Sequence, residues 1–427
     1  MKTLLLAAAL AAVAASVAAE EFTFDAAEFE KKPFELNGYV EPKLELLGLR
    51  GDSAAYRLAY PTEAARATLA RSTLTLELEG KANLGDWVFD ARAQASQVDD
   101  ALTSRSNALV VQEGGVRYSA GPGLTLDLGK RVTRWGKGYA LTTVGFVERP
   151  KDATDPTASR EGFVMASVDW TRSLPGSVSA ISFTGILLPT DGVTNADFGR
   201  TNDLNPAAKL YLLAWDTDID LMWRGAGAKT EAWGVDFSRN LASNLEVHGE
   251  WARQRNATHT AVNANGAVSS TLQDSTAWLV GLRYLTQAEV TWVAEWVHNG
   301  NGQTDSEWAS YQSFLSTATQ PVASAALTAK AQTLALSGMN RPNPGQDYLY
   351  VKASASEPWG WVYGSAAVSL MANVQDHSWQ ITPELGYTGW TGWDMRARLS
   401  VLRGAALTEF GEKLASNKLE LTTRYSF

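Results

Sequence analysis

The chain has 427 residues and no cysteine, which excludes a disulfide framework, thiolate metal sites and covalent haem attachment through a C-x-x-C-H motif. A formal net charge of -9 argues against a broad nucleic-acid surface, and no nucleic-acid partner is expected. The 16 Trp, 13 Tyr and 13 Phe are spread along the chain rather than gathered in one core. Tyr and Trp favour places where one end of the ring is dry and the other wet, and a membrane interface is such a place.

The first stretch, "MKTLLLAAALAAVAASVAAEEF", has a basic Lys2, an apolar run from Leu4 to Val13 and small residues ahead of Glu20. That layout predicts a secretory signal peptide over residues 1–19, followed by a periplasmic N-terminal segment over 20–33, a disordered tail or a small inner plug. No later run of about eighteen apolar residues is present, so no helical membrane span is predicted.

From residue 34 onward the hydropathy alternates with a period of two, as in strands with one apolar and one polar face. Leu74, Leu76 and Leu78 alternate with Thr73, Thr75, Glu77 and Glu79; Trp87, Phe89, Ala91 and Ala93 alternate with Asp90, Arg92 and Gln94. The pattern recurs at Leu124–Leu128, at Trp233–Phe237, at Leu245–Trp251, at Trp278–Tyr284, at Val290–Trp296 and at Met395–Val401. About eighteen such segments are long enough to cross a bilayer when tilted; sixteen is the alternative count.

The connections sort into two kinds. Short ones rich in turn residues include "EGKANLGD", "SAGPGL", "SLPGS", "SRNLASN", "TQAE", "EPWGW" and "TGWTGW". Between them lie longer polar stretches at 132–158, 189–206, 256–274, 300–345 and 404–416, while those near 225–229 and 373–376 are short. This alternation predicts an all-β transmembrane up-and-down antiparallel barrel over 34–427, with tight turns and both termini at one rim and long loops at the other. A soluble all-β protein is the alternative reading. Within 300–345, the alanine-rich part of "PVASAALTAKAQTLALSG" predicts a short helix that could cap or narrow the mouth. The final strand "NKLELTTRYSF" is expected to close on "FELNGYVEPKLELLGL" and to put Tyr425 and Phe427 at the periplasmic interface.

A barrel of this size encloses an aqueous lumen unless loops or a plug enter it. Its inward faces carry charges of both signs, Asp90, Arg92, Asp127, Asp236, Glu246 and Glu250 in the first part of the chain, and Arg283, Glu295, Arg396, Arg398 and Arg424 in the second. These wet the lumen and pair across strands. The stretch 132–158 is a candidate for folding into the lumen. It overlaps the basic cluster Lys130, Arg131, Arg134 and Lys137 and runs through Arg149 and Lys151 toward Arg160, opposed by Asp152, Asp155 and Glu161. Opposed charges across a pore produce a transverse field, and Trp135 and Tyr139 offer faces for a sugar or another ring. If these cations stand in a constriction they favour anionic solutes; if they pair outside it with Asp152, Asp155 or Glu161 they do not.

The four histidines, His248, His259, His298 and His377, are the candidates for base catalysis, as in a Ser-His barrel lipase. His248 between Glu246 and Glu250 is the best base candidate, yet no G-x-S-x-G context accompanies it, and three such residues on one strand face are a weak metal signal. No catalytic residue, metal or cofactor is expected.

The terminal phenylalanine on an amphipathic last strand resembles the carboxy-terminal signature of Gram-negative outer-membrane barrels. "GKRVTRWGKGYALTTVGFVERPKDATDPTASREGFVMASVDW", Gly129–Trp170, resembles a block of a largely uncharacterised proteobacterial porin-like family, similar in plan to alginate-export-type barrels. The resemblance implies an outer-membrane location, outer-membrane lipid and the barrel-assembly machinery as partners, the latter reading Tyr425 and Phe427. The water-filled barrel predicts a porin for passive diffusion of small hydrophilic solutes, anionic or sugar-like ones among them on the strength of the basic cluster and of Trp135 and Tyr139. Alternatives are a barrel sleeve around a periplasmic cytochrome in an electron conduit and, less favoured, an outer-membrane hydrolase; a homo-oligomer is a further expected arrangement.

Overall fold

A backbone in contact with lipid must find its hydrogen-bond partners within the protein, and a sheet closed on itself supplies them without leaving an edge. The computed structural model describes residues 33–103, 105–151, 155, 159–339 and 341–427. The expected signal peptide and nearly all of the segment expected over 20–33 lie outside the described residues. Strands β1 (Phe34–Leu49), β2 (Thr68–Leu84), β3 (Trp87–Asp100), β4 (Ser106–Gly121), β5 (Leu124–Arg131) and β6 (Phe163–Ser173) come first. β7 (Val178–Thr190), β8 (Asp203–Ala214), β9 (Thr217–Arg224), β10 (Ala232–Ala242), β11 (Leu245–Val262) and β12 (Val268–Leu285) follow. β13 (Val290–Asn299), β14 (Asp347–Ser356), β15 (Gly364–Asn373), β16 (Trp379–Tyr387), β17 (Trp393–Arg403) and β18 (Ala415–Ser426) complete the ring.

Each strand pairs antiparallel with its sequence neighbours, and β18 pairs with β1, so the 18-stranded sheet closes into a barrel. Phe427 seals the seam: it exchanges two backbone hydrogen bonds of 3.0 Å with Gly38. The strand count is eighteen, not sixteen.

Alternation decides which way each side chain points. Leu74, Leu76, Leu78, Trp87, Phe89, Leu282, Leu399 and Leu421 are exposed on the outside, while their neighbours Glu45, Glu77, Asp127, Glu295, Arg398 and Glu420 are buried on the inside. Aromatic rings gather at two levels of the outer face. Trp87–Tyr118 (centroids 4.5 Å apart) and Trp393–Tyr425 (5.1 Å) stand near the short turns, and Trp223–Trp233 (6.2 Å) and Trp278–Trp296 (6.3 Å) near the long loops. An apolar band between two aromatic girdles is the surface of a transmembrane barrel.

The long-loop rim departs from expectation in two places. The stretch 256–274 is not a loop: β11 and β12 continue past the girdle as a paired hairpin, and only 263–267 connect them. Thr258, Thr260, Ser269 and Ser270 are polar yet compatible with strand, so loss of hydrophobic alternation marks the end of the lipid rather than the end of the sheet. The second departure is helical. Helix α1 (Ala54–Ala59) follows β1, and α2 (Asp305–Ala318) precedes the expected short helix, which is α3 (Ala325–Leu334) with Ser324 as its cap. A capping box between Thr304 and Glu307 starts α2. Its Trp308, Tyr311, Phe314 and Leu315 pack with Val262 of the projecting β11, Ala54 of α1 and Ala331 of α3.

The outward and inward faces make opposite predictions for one substitution. Leu76→Arg, in the middle of β2 on the lipid side, is expected to lower stability by about 2 to 4 kcal/mol, and the inward Thr75→Arg by clearly less. Urea unfolding of the refolded protein in vesicles checks this; equal losses would mean that the faces are misassigned.

Candidate functional site

The segment 132–162, between β5 and β6, turns into the barrel and meets inward-facing side chains on the far wall. Its described residues have no regular secondary structure, so their backbone N–H groups have no ladder to join and need acceptors from elsewhere. Two wall carboxylates supply them. Glu250 of β11, 4 % exposed, accepts the N–H groups of Lys137 (2.7 Å) and Gly138 (2.7 Å) on one oxygen. Its other oxygen takes the N–H of Thr143 (2.6 Å) and the hydroxyls of Thr142 (3.0 Å) and Thr143 (3.0 Å). Glu295 of β13, 1 % exposed, accepts the N–H groups of Tyr139 and Ala140 and contacts His248 Nε2 at 3.1 Å.

Close approach explains two glycines. Gly136 has φ +97°, and a Cβ there would come within 2.2 Å of Thr142 Oγ1 and 2.5 Å of Glu250 Oε1. On the wall, a Cβ at Gly281 would sit 2.2 Å from His248 Nε2, so the glycine makes room for the histidine.

Further contacts carry the segment across. Lys137 pairs with Asp220 of β9 at 2.8 Å and lies 3.8 Å from Asp236 of β10. Burial works to lower the pKa of its ammonium, but the hydrogen bond to Asp220 and the charge of Asp236 outweigh it, and the net shift is upward. Lys352 of β14 donates to the Tyr139 hydroxyl at 2.9 Å, and the Tyr139 ring stacks 6.0 Å from Tyr350. Val144, Phe146 and Val147 pack with Met165, Ile186, Met222 and Ala232; Ala140 packs with Tyr348, Tyr350, Met371 and Phe410. Asp155 reaches Arg398 of β17 at 3.4 Å.

The sequence-selected residues therefore separate into groups. Arg131 is paired with Asp90 and with Asp127 (2.7 Å), and Lys130 with Glu161. Arg149 holds Asp197 at 2.7 Å, Arg160 holds Glu148 at 3.1 Å, and Lys151 donates to the Gly138 carbonyl. Most of these cations are thus neutralised, Arg131 and Lys137 by wall acids, Lys130 and Arg160 by Glu161 and Glu148 of the segment itself, and Arg149 by Asp197; Asp152 lies outside the described residues. Trp135 does not offer a ring face: it is 3 % exposed and belongs to the apolar cluster around Phe146 and Phe163. Tyr139 is likewise committed to Tyr350 and Lys352. Arg134 differs, being exposed and without a hydrogen bond or ion pair among the described residues.

Beside the segment lies a cavity of about 1030 Å³, walled by β1–β3, β17 and β18 on one side and by the segment on the other. Its lining carries nine basic side chains against five acidic ones. Arg396 and Arg398 stand on β17, Arg92 on β3 paired with Glu113 at 2.5 Å, and Arg424 on β18 over the Tyr39 ring at 4.0 Å. A second cavity of about 480 Å³ borders β2–β8, with Asp90, Asp127 and Arg131 in its lining. Arg134 lines both.

His248 lies between Glu246 (3.3 Å) and Glu295 (3.1 Å), and Glu246 also holds Arg283 at 3.3 Å and the Ser238 hydroxyl at 2.8 Å. Among the described residues no cluster has the arrangement of a metal site. Sequence reasoning missed Asp220, Glu113, Lys352 and Glu148. Asp220 could have been found, because Asp218 and Asp220 alternate with Ile219 and Leu221 in a strand pattern.

The closed ring, the girdled exterior and the charged lumen crossed by one of the chain's own segments define the fold of a porin-type transmembrane β-barrel. Among solved structures it is similar to the Pseudomonas aeruginosa protein OccK5 (OpdH), with a TM-score of 0.53 and 11% identity over 92% of this chain and 98% of that one. A triple mutant of the Rhodopseudomonas blastica porin aligns over 92% of this chain and 100% of its own with a TM-score of 0.43 and 12% identity. No protein-family model and no curated protein sequence matches the chain.

Removing the Glu250 carboxylate strips acceptors from three backbone N–H groups and two hydroxyls at once. At about 1 to 3 kcal/mol for each donor left buried and unmet, Glu250→Ala is expected to release the segment while the sheet stays closed. Single-channel recordings should then show a larger, noisier conductance from a barrel that still migrates as a compact unboiled form. An unchanged conductance would show that the carboxylate does not hold the segment.

Proposed function

We propose that the protein is an outer-membrane channel for small hydrophilic anions, with its selectivity placed in the large cavity beside the segment 132–162. One observation carries the reading: the lining is basic by nine side chains to five, and within it Arg134 has no counter-charge of its own among the described residues. Local field rather than total charge governs a narrow passage, so the protein's net charge of -9 does not oppose it. Oxyanions match the donors that guanidinium groups present, because the fork geometry takes two oxygens at once. The sugar-binding variant loses its support with Trp135 buried and Tyr139 stacked.

The sleeve reading needs a bore wide enough for a haem protein. A segment anchored to β11, β13 and β17 crosses the lumen and counts against it. Among the described residues no serine hydroxyl is hydrogen-bonded to His248, whose partners are Glu246 and Glu295, and the lack of a nucleophile on the ring counts against the hydrolase reading.

Reversal potentials under a salt gradient test the channel. The wild type is expected to prefer anions. Replacing Arg134 and Arg396 together by Gln should lower the anion-to-cation permeability ratio several-fold, on the order expected for charges acting across a few ångströms in a partly screened site. Replacing Arg131 and Lys137, which wall acids already neutralise, should shift it less. Cation preference in the wild type would sink the reading.

A further inference from the structure

Glu148 stands on the returning limb of the segment, is buried, and borders the large cavity. Its Oε2 is paired with Arg160 Nη1 at 3.1 Å. Its Oε1 is buried with no hydrogen-bond donor among the described residues. Gly145 packs against that oxygen closely enough that a Cβ there would lie 2.5 Å from it, so the backbone occupies one line of approach.

The charged groups around Glu148 come from several elements. Arg160 and Lys151 face it from the segment itself, and Glu250 faces it from β11. Glu295 of β13 acts on Lys151. Asp155, also in the cavity lining, is held by Arg398 of β17, and Arg134 completes the segment's side of the lining. Glu148 is therefore an acid set between two cations, in a lining where basic side chains outnumber acidic ones by nine to five.

We propose that Glu148 is the acid that sets how strongly this passage prefers anions: ionised, it offsets Arg160 and Lys151; protonated, it leaves both cations to the passing solute. The inference rests on the anion-channel reading and adds its regulation by protons. Burial pushes the Glu148 carboxyl up to about 7, against the pull of Arg160 and Lys151 and with a smaller push from Glu250. Burial also moves the Lys151 amine downward, despite Glu148, Glu250 and Glu295. Both shifts act in one direction. As pH falls, Glu148 loses its negative charge and Lys151 keeps its positive one, so the lining becomes more basic; as pH rises, the reverse happens.

The test is the reversal potential of the full-length channel in planar bilayers, recorded from about pH 8 down to about pH 5.5, a range that brackets the shifted carboxyl and lies above the ordinary carboxylate range. The wild-type anion-to-cation permeability ratio is expected to rise about threefold on acidification, the effect of removing one negative charge from a partly screened lining. Glu148→Gln should hold the acid value at every pH. Glu148→Asp, which keeps an ionisable group of lower intrinsic pKa, should move the midpoint to lower pH. His248→Gln should leave the profile in place, since that histidine lies behind the segment among carboxylates. A flat wild-type profile, a profile that survives Glu148→Gln, a midpoint unmoved in Glu148→Asp, or one abolished by His248→Gln would each overturn the assignment. These outcomes are changes of a ratio with pH, so they are separate from the sign of the preference, on which the channel reading stands or falls.

Discussion

Two buried carboxylates, Glu250 and Glu295, hold up the interior of this barrel. An irregular backbone inside a lumen must have its N–H groups satisfied, and water is displaced wherever apolar side chains pack. Carboxylates are suited to this role because each offers two oxygens able to accept several hydrogen bonds, and bonds to an ionised acceptor are shorter and stronger than neutral ones. The consecutive N–H groups of residues 137–140 are divided between the two side chains. The small residues at 136 and 138 and the threonines at 142 and 143 then follow as local requirements of that seat.

The same arrangement sorts charge within the lumen. Asp220, Asp236, Glu250 and Glu295 lie on neighbouring strands β9–β13 and draw in Lys137, Lys209 and the segment backbone. Acids on that wall are consumed in holding structure. On the opposite wall, β1–β3 with β17 and β18, the arginines are more numerous than the carboxylates beside them. The asymmetry needs no net positive protein, only a partition that keeps the acidic wall covered and the basic wall open.

Much of the fold was legible because the lipid imposes a rule that acts on every second residue. Leu74–Leu78, Trp233–Phe237 and Met395–Val401 could each be assigned a face from alternation alone, and β1 could be paired with β18 from the pattern at both ends. Legibility failed where the rule lapses. Beyond the girdle, β11 and β12 remain sheet with polar outer faces, so 256–274 reads as loop. Lumen contacts were harder still: Asp127 shares a strand face with Arg131 four residues on, but Asp90 lies 41 residues from Arg131 and Asp220 about 80 from Lys137, and nothing periodic links those. Trp135 shows a related limit, since composition cannot tell an aromatic that greets a solute from one that anchors a loop. Glu148 was passed over because its significance lies in burial, which a sequence does not display. Capping signals were available for α2 in Thr304 and Glu307, a local pattern with a local cause.

A ring of neighbour-to-neighbour hydrogen bonds fixes the circumference of an eighteen-stranded barrel but not the shape of its cross-section, which can flatten without breaking a single ladder bond. The segment 132–162 behaves as a strut. It is tied to β4 through the Val132 N–H on Glu113 and the Gly162 N–H on the Gln112 carbonyl, and to β11, β13 and β14 on the far side. Distances across the lumen are thereby set by covalent chain and short hydrogen bonds rather than by lipid pressure on the wall. The aperture beside the strut consequently has a mechanical origin: its width is what remains of the lumen once the brace is in place.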